Sequence, residues 1–187
     1  MDRVAGAARP AARALGAGDP PGRRRRPGGG VRARAPGRLR PVGAQDVAYL
    51  DFAARANLAE VALGKLAKKH AHSQEIRDFG RDMVRDHRRQ YRALEGVASA
   101  VGVTLPTRPS REQRRLASAW ARFDGKAFDC AYVPFQWGDH QLVIAMTEKE
   151  VTTGPDPAVT QAATASLPVL QEHHEHATML LRGLRGC

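Results

Sequence analysis

The chain has 187 residues, 42% of them hydrophobic, and a formal net charge of +11, enough for one domain with a real core plus an additional segment. The charge is uneven: residues 1–41 hold eleven arginines against Asp2 and Asp19, and the remainder carries 19 basic and 17 acidic side chains. A strong nucleic-acid signal is therefore absent from the part expected to fold, and no run reaches the roughly 18 apolar residues of a membrane-spanning helix.

Residues 1–45 read as a disordered tail of Arg, Ala, Gly and Pro, with too few bulky apolar residues to repay the entropy of ordering. Its four consecutive arginines at 23–26 could grip anionic surfaces, but a solvated basic tail, or a start codon assigned too far upstream, is the favoured explanation. The start of the chain lacks the apolar run of a secretory signal. Two cysteines, Cys130 and Cys187, stand far apart without CxxC spacing, so neither a disulfide framework nor a thiolate zinc site is expected.

From Asp46 the pattern becomes helical. Ala53, Ala56, Glu60, Leu63 and Ala67 recur at spacings of three and four, which predicts a helix over about 46–71. Ser73 is a natural N-cap, and Ile76, Gly80, Met83, His87, Gln90, Leu94, Val97 and Val101 continue the period until Gly102. The few residues between these helices force an antiparallel hairpin. A link with Pro106 and Pro109 follows, in which Ser110 and Gln113 form a capping box for a short helix toward Trp120.

A third long helix is predicted over about 126–151, with Phe128, Tyr132, Phe135, Leu142 and Met146 on one stripe and Asp129, Val133, Gln136, His140 and Val143 on the next. Pro134 should bend it or mark its first turn. Asp156 and Pro157 cap and open the fourth, whose stripe runs through Val159, Ala163, Leu167, Leu170, His173 or His174, Ala177 and Leu181, with a kink expected at Pro168. Two hairpins joined by a long link define either an up-down-up-down bundle or the version with one crossover.

Each long helix carries a polar residue inside its apolar stripe: Glu60, His87, His140 and His173. Counted from the hairpin turns at 1.5 Å per residue, Glu60 and His87 differ in depth by about 4–5 Å and His140 and His173 by about 6 Å, so all four can share one layer. One carboxylate and three imidazoles suit a transition metal such as iron, copper or zinc. A buried hydrogen-bonded layer that only fixes helix register is the competing explanation. Asp86, Asp129, Glu148 and His174 form a second tier, with Asp129 also placed to cap the third long helix. Met83, one turn before His87, could add a thioether to a copper site but on a helical stripe is more often core. His70, His72 and His176 are expected at the surface. No activated nucleophile is set up around Cys130 or the serines.

The segments DVAYLDFAARANLAEVALGKLA (46–67), FGRDMVRDH (79–87), FDCAYVPFQWGDH (128–140) and LPVLQEHHEHA (167–177) resemble, in order and separation, the signature blocks of a bacterial family known as domain of unknown function 4142, often labelled "putative membrane protein". The resemblance spans nearly all of residues 46–184. It implies the ferritin-like superfamily, with a crossover connection and a site in the bundle core. The family's recurring positions fall on Glu60, Asp86 with His87, Phe128 with Asp129, His140, and Leu167 with Pro168 and His173. The Glu-x-x-His pairs of di-iron bundles are absent, which argues against a di-iron oxidase. Members of the family are commonly exported, whereas no signal core is visible here, so localisation stays open. The resemblance implies no established activity.

The expected protein is thus all-α: a disordered tail at 1–45 and a ferritin-like four-helix bundle at 46–184, with a short extra helix in the crossover between the second and third long helices. Its expected function is a transition-metal-binding or stress-related module. The alternatives are a non-catalytic structural or interaction bundle and a redox enzyme with a dinuclear metal centre. Candidate partners are further copies of the chain in a homo-oligomer and, for the tail, anionic surfaces.

Overall fold

The computed structural model describes residues 42–187; the segment read as a basic tail lies, up to residue 41, outside the described residues. Among the described residues the protein is all-α, with five helices and no strand. They are α1 (Ala44–His70), α2 (Gln74–Ala100), the short α3 (Arg111–Trp120), α4 (Lys126–Thr153) and α5 (Pro157–Gly183). None of them is long and apolar enough to cross a membrane. The caps explain the boundaries. The Ser73 side chain accepts from the Glu75 amide at the start of α2, Ser110 and Gln113 close a reciprocal capping box on α3, and Asp156 accepts from the Ala158 and Val159 amides with Pro157 at the first turn of α5. Gly102, at φ 75°, adopts the left-handed conformation that ends α2.

The four long helices pack in sequence-adjacent hairpins, α1 on α2 and α4 on α5, with α2 against α5 and α1 against α4. The α1–α2 hairpin closes tightly because glycines face each other. A Cβ on Gly64 would stand 2.8 Å from the carbonyl oxygen of Gly80, and a Cβ on Gly80 would stand 2.7 Å from the Ala67 Cβ. Pro134 lies well inside α4 and is not its first turn; Pro168 lies inside α5.

Apolar burial falls into two main regions on either side of a polar layer. Near the α1–α2 turn, Phe79, Met83, Trp120, Phe128, Tyr132 and Leu180 form an aromatic-rich core. Toward the other end, Tyr49, Leu50, Ala54, Leu94, Val159 and Ala163 form a core in which alanines are frequent. Met83 belongs to the first region and is fully buried. On α4 the buried face is the stripe through Asp129, Val133, Gln136, His140 and Val143, together with Phe128 and Tyr132. Leu142 and Met146, expected on a core stripe, are instead exposed, at 55% and 37%, because the helix turns its polar-interrupted stripe inward.

Cys130 and Cys187 form a disulfide with their Cα atoms 5.6 Å apart, contrary to the expectation from their spacing. The antiparallel run of α4 and α5 brings the segment after α5 back beside the first turns of α4, a long-range closure that a local motif search does not register.

Candidate metal centre

Between the two apolar regions, α1, α2, α4 and α5 each deliver polar side chains to one level. His87, His140 and His173 are 3%, 1% and 4% exposed. Their ring centroids are 5.1 Å apart for His87–His173, 5.5 Å for His140–His173 and 5.7 Å for His87–His140. One ligating nitrogen from each lies within 4.8 Å of those of the other two.

The hydrogen bonds at the outer side of each ring set its tautomer. Asn57 donates its amide N–H to the Ala53 carbonyl at 2.8 Å, which turns Asn57 Oδ1 toward His87 Nδ1 at 2.9 Å, so His87 carries its proton on Nδ1 and donates it. His140 Nδ1 donates to the Gln136 carbonyl at 2.9 Å. His173 Nε2 donates to Asp86 Oδ2 at 3.3 Å. Each ring therefore keeps a lone pair on its other nitrogen, and these atoms, Nε2 of His87, Nε2 of His140 and Nδ1 of His173, are buried with no hydrogen-bond partner in the protein. Buried polar atoms normally find partners, and three orphaned lone pairs in one cluster suit a cation.

The electrostatics agree with that donor set. Burial, together with the neighbouring imidazoles, holds His87 well below the usual histidine range and pushes His140 down to about 3. Burial also lowers His173, and the Asp86 contact only partly opposes it. All three rings are neutral near pH 7, the form that ligates metals. Burial raises Asp86, but hydrogen bonds from Arg85 and His173 outweigh it and leave the carboxyl below its ordinary value. Asp86 is thus an anion held by Arg85 Nε and Nη2 at 2.9 and 2.7 Å, which orients His173 as outer-shell carboxylates orient metal-bound histidines.

Glu60 reaches the same level from α1. It is 2% exposed and accepts from Gln136 Nε2 at 2.7 Å. Its carboxylate, that of Asp139 and a nitrogen of His140 offer ligating atoms within 4.8 Å of one another. Burial and then the charge of Asp139 push Glu60 well above the carboxylate range, and burial raises Asp139 as well. The pair therefore retains a proton rather than ionising twice.

The depth count over Glu60, His87, His140 and His173 thus corresponds to a real layer, and of the adjacent pair on α5 it is His173 that turns inward. The second tier is distributed differently. His174 is half-buried and stacks on Trp137 with centroids 5.9 Å apart. Asp86 touches His173 from behind. Asp129 lies at the hairpin end, where its two oxygens accept from the His72 and Ser73 amides at 3.0 and 3.1 Å; it fastens the start of α2 rather than capping α4. Glu148 is exposed. His72 is exposed as expected, but His70 pairs with Asp124 and stacks on Phe128, and His176 packs edge-on against Phe79 at 4.8 Å, so neither is a free surface group. Sequence reasoning missed Asn57 and Asp139. Asn57 carried a signal, a polar residue one turn before Glu60 on the same apolar face, whereas Asp139 beside His140 carried only proximity.

These features define an all-α protein with a buried three-histidine cluster flanked by a carboxyl pair. The family model described as "Domain of unknown function (DUF4142)" matches residues 32–180, and the chain belongs to that family. No curated protein and no solved structure matches it significantly.

Proposed function

We propose that this protein is a transition-metal-binding helical module of the ferritin-like four-helix type, in which His87, His140 and His173 hold one ion. The observation that supports it best is the convergence of three buried, neutral imidazole lone pairs, each set by a hydrogen bond on the opposite side of its ring. A layer serving only to fix register would be expected to use those nitrogens in bonds within the layer; these atoms have none. Three imidazoles suit zinc, copper or iron, and Glu60 or Asp139 stands close enough to His140 to contribute charge balance. Protein purified without a histidine tag and titrated with zinc in a calorimeter should take up one equivalent, and His87→Ala and His140→Ala should each abolish it. No stoichiometric uptake by the unmodified protein would refute the site.

A second reading, a dinuclear centre, is supported by the adjoining set of Glu60, Asp139 and His140. It predicts two equivalents of metal, the second lost in Asp139→Asn. Of the second-tier carboxylates such a centre would draw on, Asp86 is buried and contacts His173, whereas Asp129 fastens the hairpin turn and Glu148 is exposed.

A further inference from the structure

A cavity of ≈ 510 Å³ adjoins the histidine layer on the side away from the aromatic core. Its buried end is polar, formed by Glu60, His87, Asp139 and His140, and its walls are mostly apolar and rich in alanine, with Ala53, Ala56, Ala93, Ala162 and Ala165 among them and the exposed Arg89 and Gln161 at their solvent side. Larger side chains at those positions would fill the space, as the aromatic residues do in the other half. The mouth opens between α2 and α5, where Ala93 and Ala165 are exposed. The volume falls in the range of small-molecule sites, and apolar walls ending in a few convergent polar groups are their usual construction.

The polar end calls for a ligand with both a donor and an acceptor. Nε2 of His87 and Nε2 of His140 are buried acceptors without partners, and Nε2 of Gln90, one turn above His87 on α2, is a buried donor without one. From His87 to Val97 the lining runs ten residue steps along α2, roughly 15 Å, about the length of an extended chain of a dozen carbon atoms.

We propose that this cavity binds a single-chain aliphatic carboxylic acid, with its chain along the alanine-lined walls and its carboxyl group at the histidine layer. There the carboxyl oxygen accepts from the Gln90 amide. The other oxygen either donates its proton to an imidazole lone pair or, as a carboxylate, ligates an ion held by the three histidines. The chain's seat follows from the walls alone; only this last choice rests on the metal-binding function proposed above.

The test is calorimetric titration of dodecanoate, decanoate, octanoate and dodecanol into the full-length, delipidated protein, with and without zinc. One equivalent of dodecanoate should bind, each loss of two methylenes should weaken binding roughly tenfold, and dodecanol should bind at least tenfold more weakly than the acid. Ala165→Trp and Ala93→Phe, at the exposed mouth, should each weaken dodecanoate at least tenfold while zinc uptake and helical content stay unchanged. Absence of saturable dodecanoate binding, indifference to chain length and to both mouth variants, or dodecanol binding as tightly as the acid would overturn the inference. Zinc uptake without dodecanoate binding contradicts this inference alone; dodecanoate binding without zinc uptake contradicts the metal site alone.

Discussion

Asn57 separates a metal site from a structural polar layer. Its side chain bridges the Ala53 carbonyl and His87 Nδ1, so Asn57→Leu removes the acceptor that fixes the His87 tautomer while leaving all three imidazoles in place. In metal-free protein the variant strands a buried N–H, a loss of about 1–3 kcal/mol. With metal a second loss appears, because outer-shell partners of ligating histidines are typically worth about 10- to 100-fold in affinity. At a free zinc concentration 1,000 times the wild-type Kd, linkage stabilises the wild type by about 4.1 kcal/mol. A variant weakened 10- to 100-fold gains only about 1.4–2.7 kcal/mol under the same conditions. Urea denaturation of both proteins with and without zinc measures these four stabilities, and the zinc-induced gain should be smaller in the variant by about 1.4–2.7 kcal/mol. Equal gains in both proteins, or none in either, would refute the role assigned to the histidine layer.

The metal-free protein should lose stability as pH falls below about 6.5, because the unfolded histidines take up protons there while the buried rings stay neutral. For His140, held down to about 3, the loss between pH 7.5 and 5.5 is on the order of 1 kcal/mol. Glu60 acts with the opposite sign: its raised pKa favours the folded state at low pH, an advantage lost as pH rises through its folded value. Comparing His140→Gln with the wild type by urea denaturation across that range isolates the histidine contribution, and identical pH profiles would contradict it. Gly80→Ala should destabilise by about 1–3 kcal/mol despite the better helix propensity of alanine, since the added methyl meets Ala67 and the Gly64 carbonyl; a stabilised variant in thermal melts would show that the hairpin can open. Reducing the Cys130–Cys187 disulfide, which spans 57 residues, should lower stability by at most about 4 kcal/mol on the chain-entropy estimate, and denaturation with and without reductant measures it.

The helices were legible because each carries its own punctuation: Ser73, the Ser110–Gln113 pair and Asp156 with Pro157 are local signals, and local signals decide where helices begin. The shared level of Glu60, His87, His140 and His173 was also legible, since tight hairpins convert residue number into depth. Rotation about the helix axis was harder to read. Leu142 and Met146 form as good an apolar stripe as Val133 and Val143, and only the partner helices decide which one is buried. The disulfide and the outer-side partners were less legible still. Asp86 finds His173 87 residues away, and Cys130 finds Cys187 only through the return of α5 along α4. Asp129 reads as a capping residue from its position, yet the amides it holds belong to the turn between α1 and α2. Such contacts depend on tertiary placement that no local window contains.

The most direct measurement is X-ray absorption at the zinc edge of protein loaded with one equivalent. Three imidazole nitrogens at about 2.0–2.1 Å, reduced in number in His173→Ala, are expected. A shell of oxygen atoms alone, unchanged in that variant, would contradict a metal centre built from His87, His140 and His173.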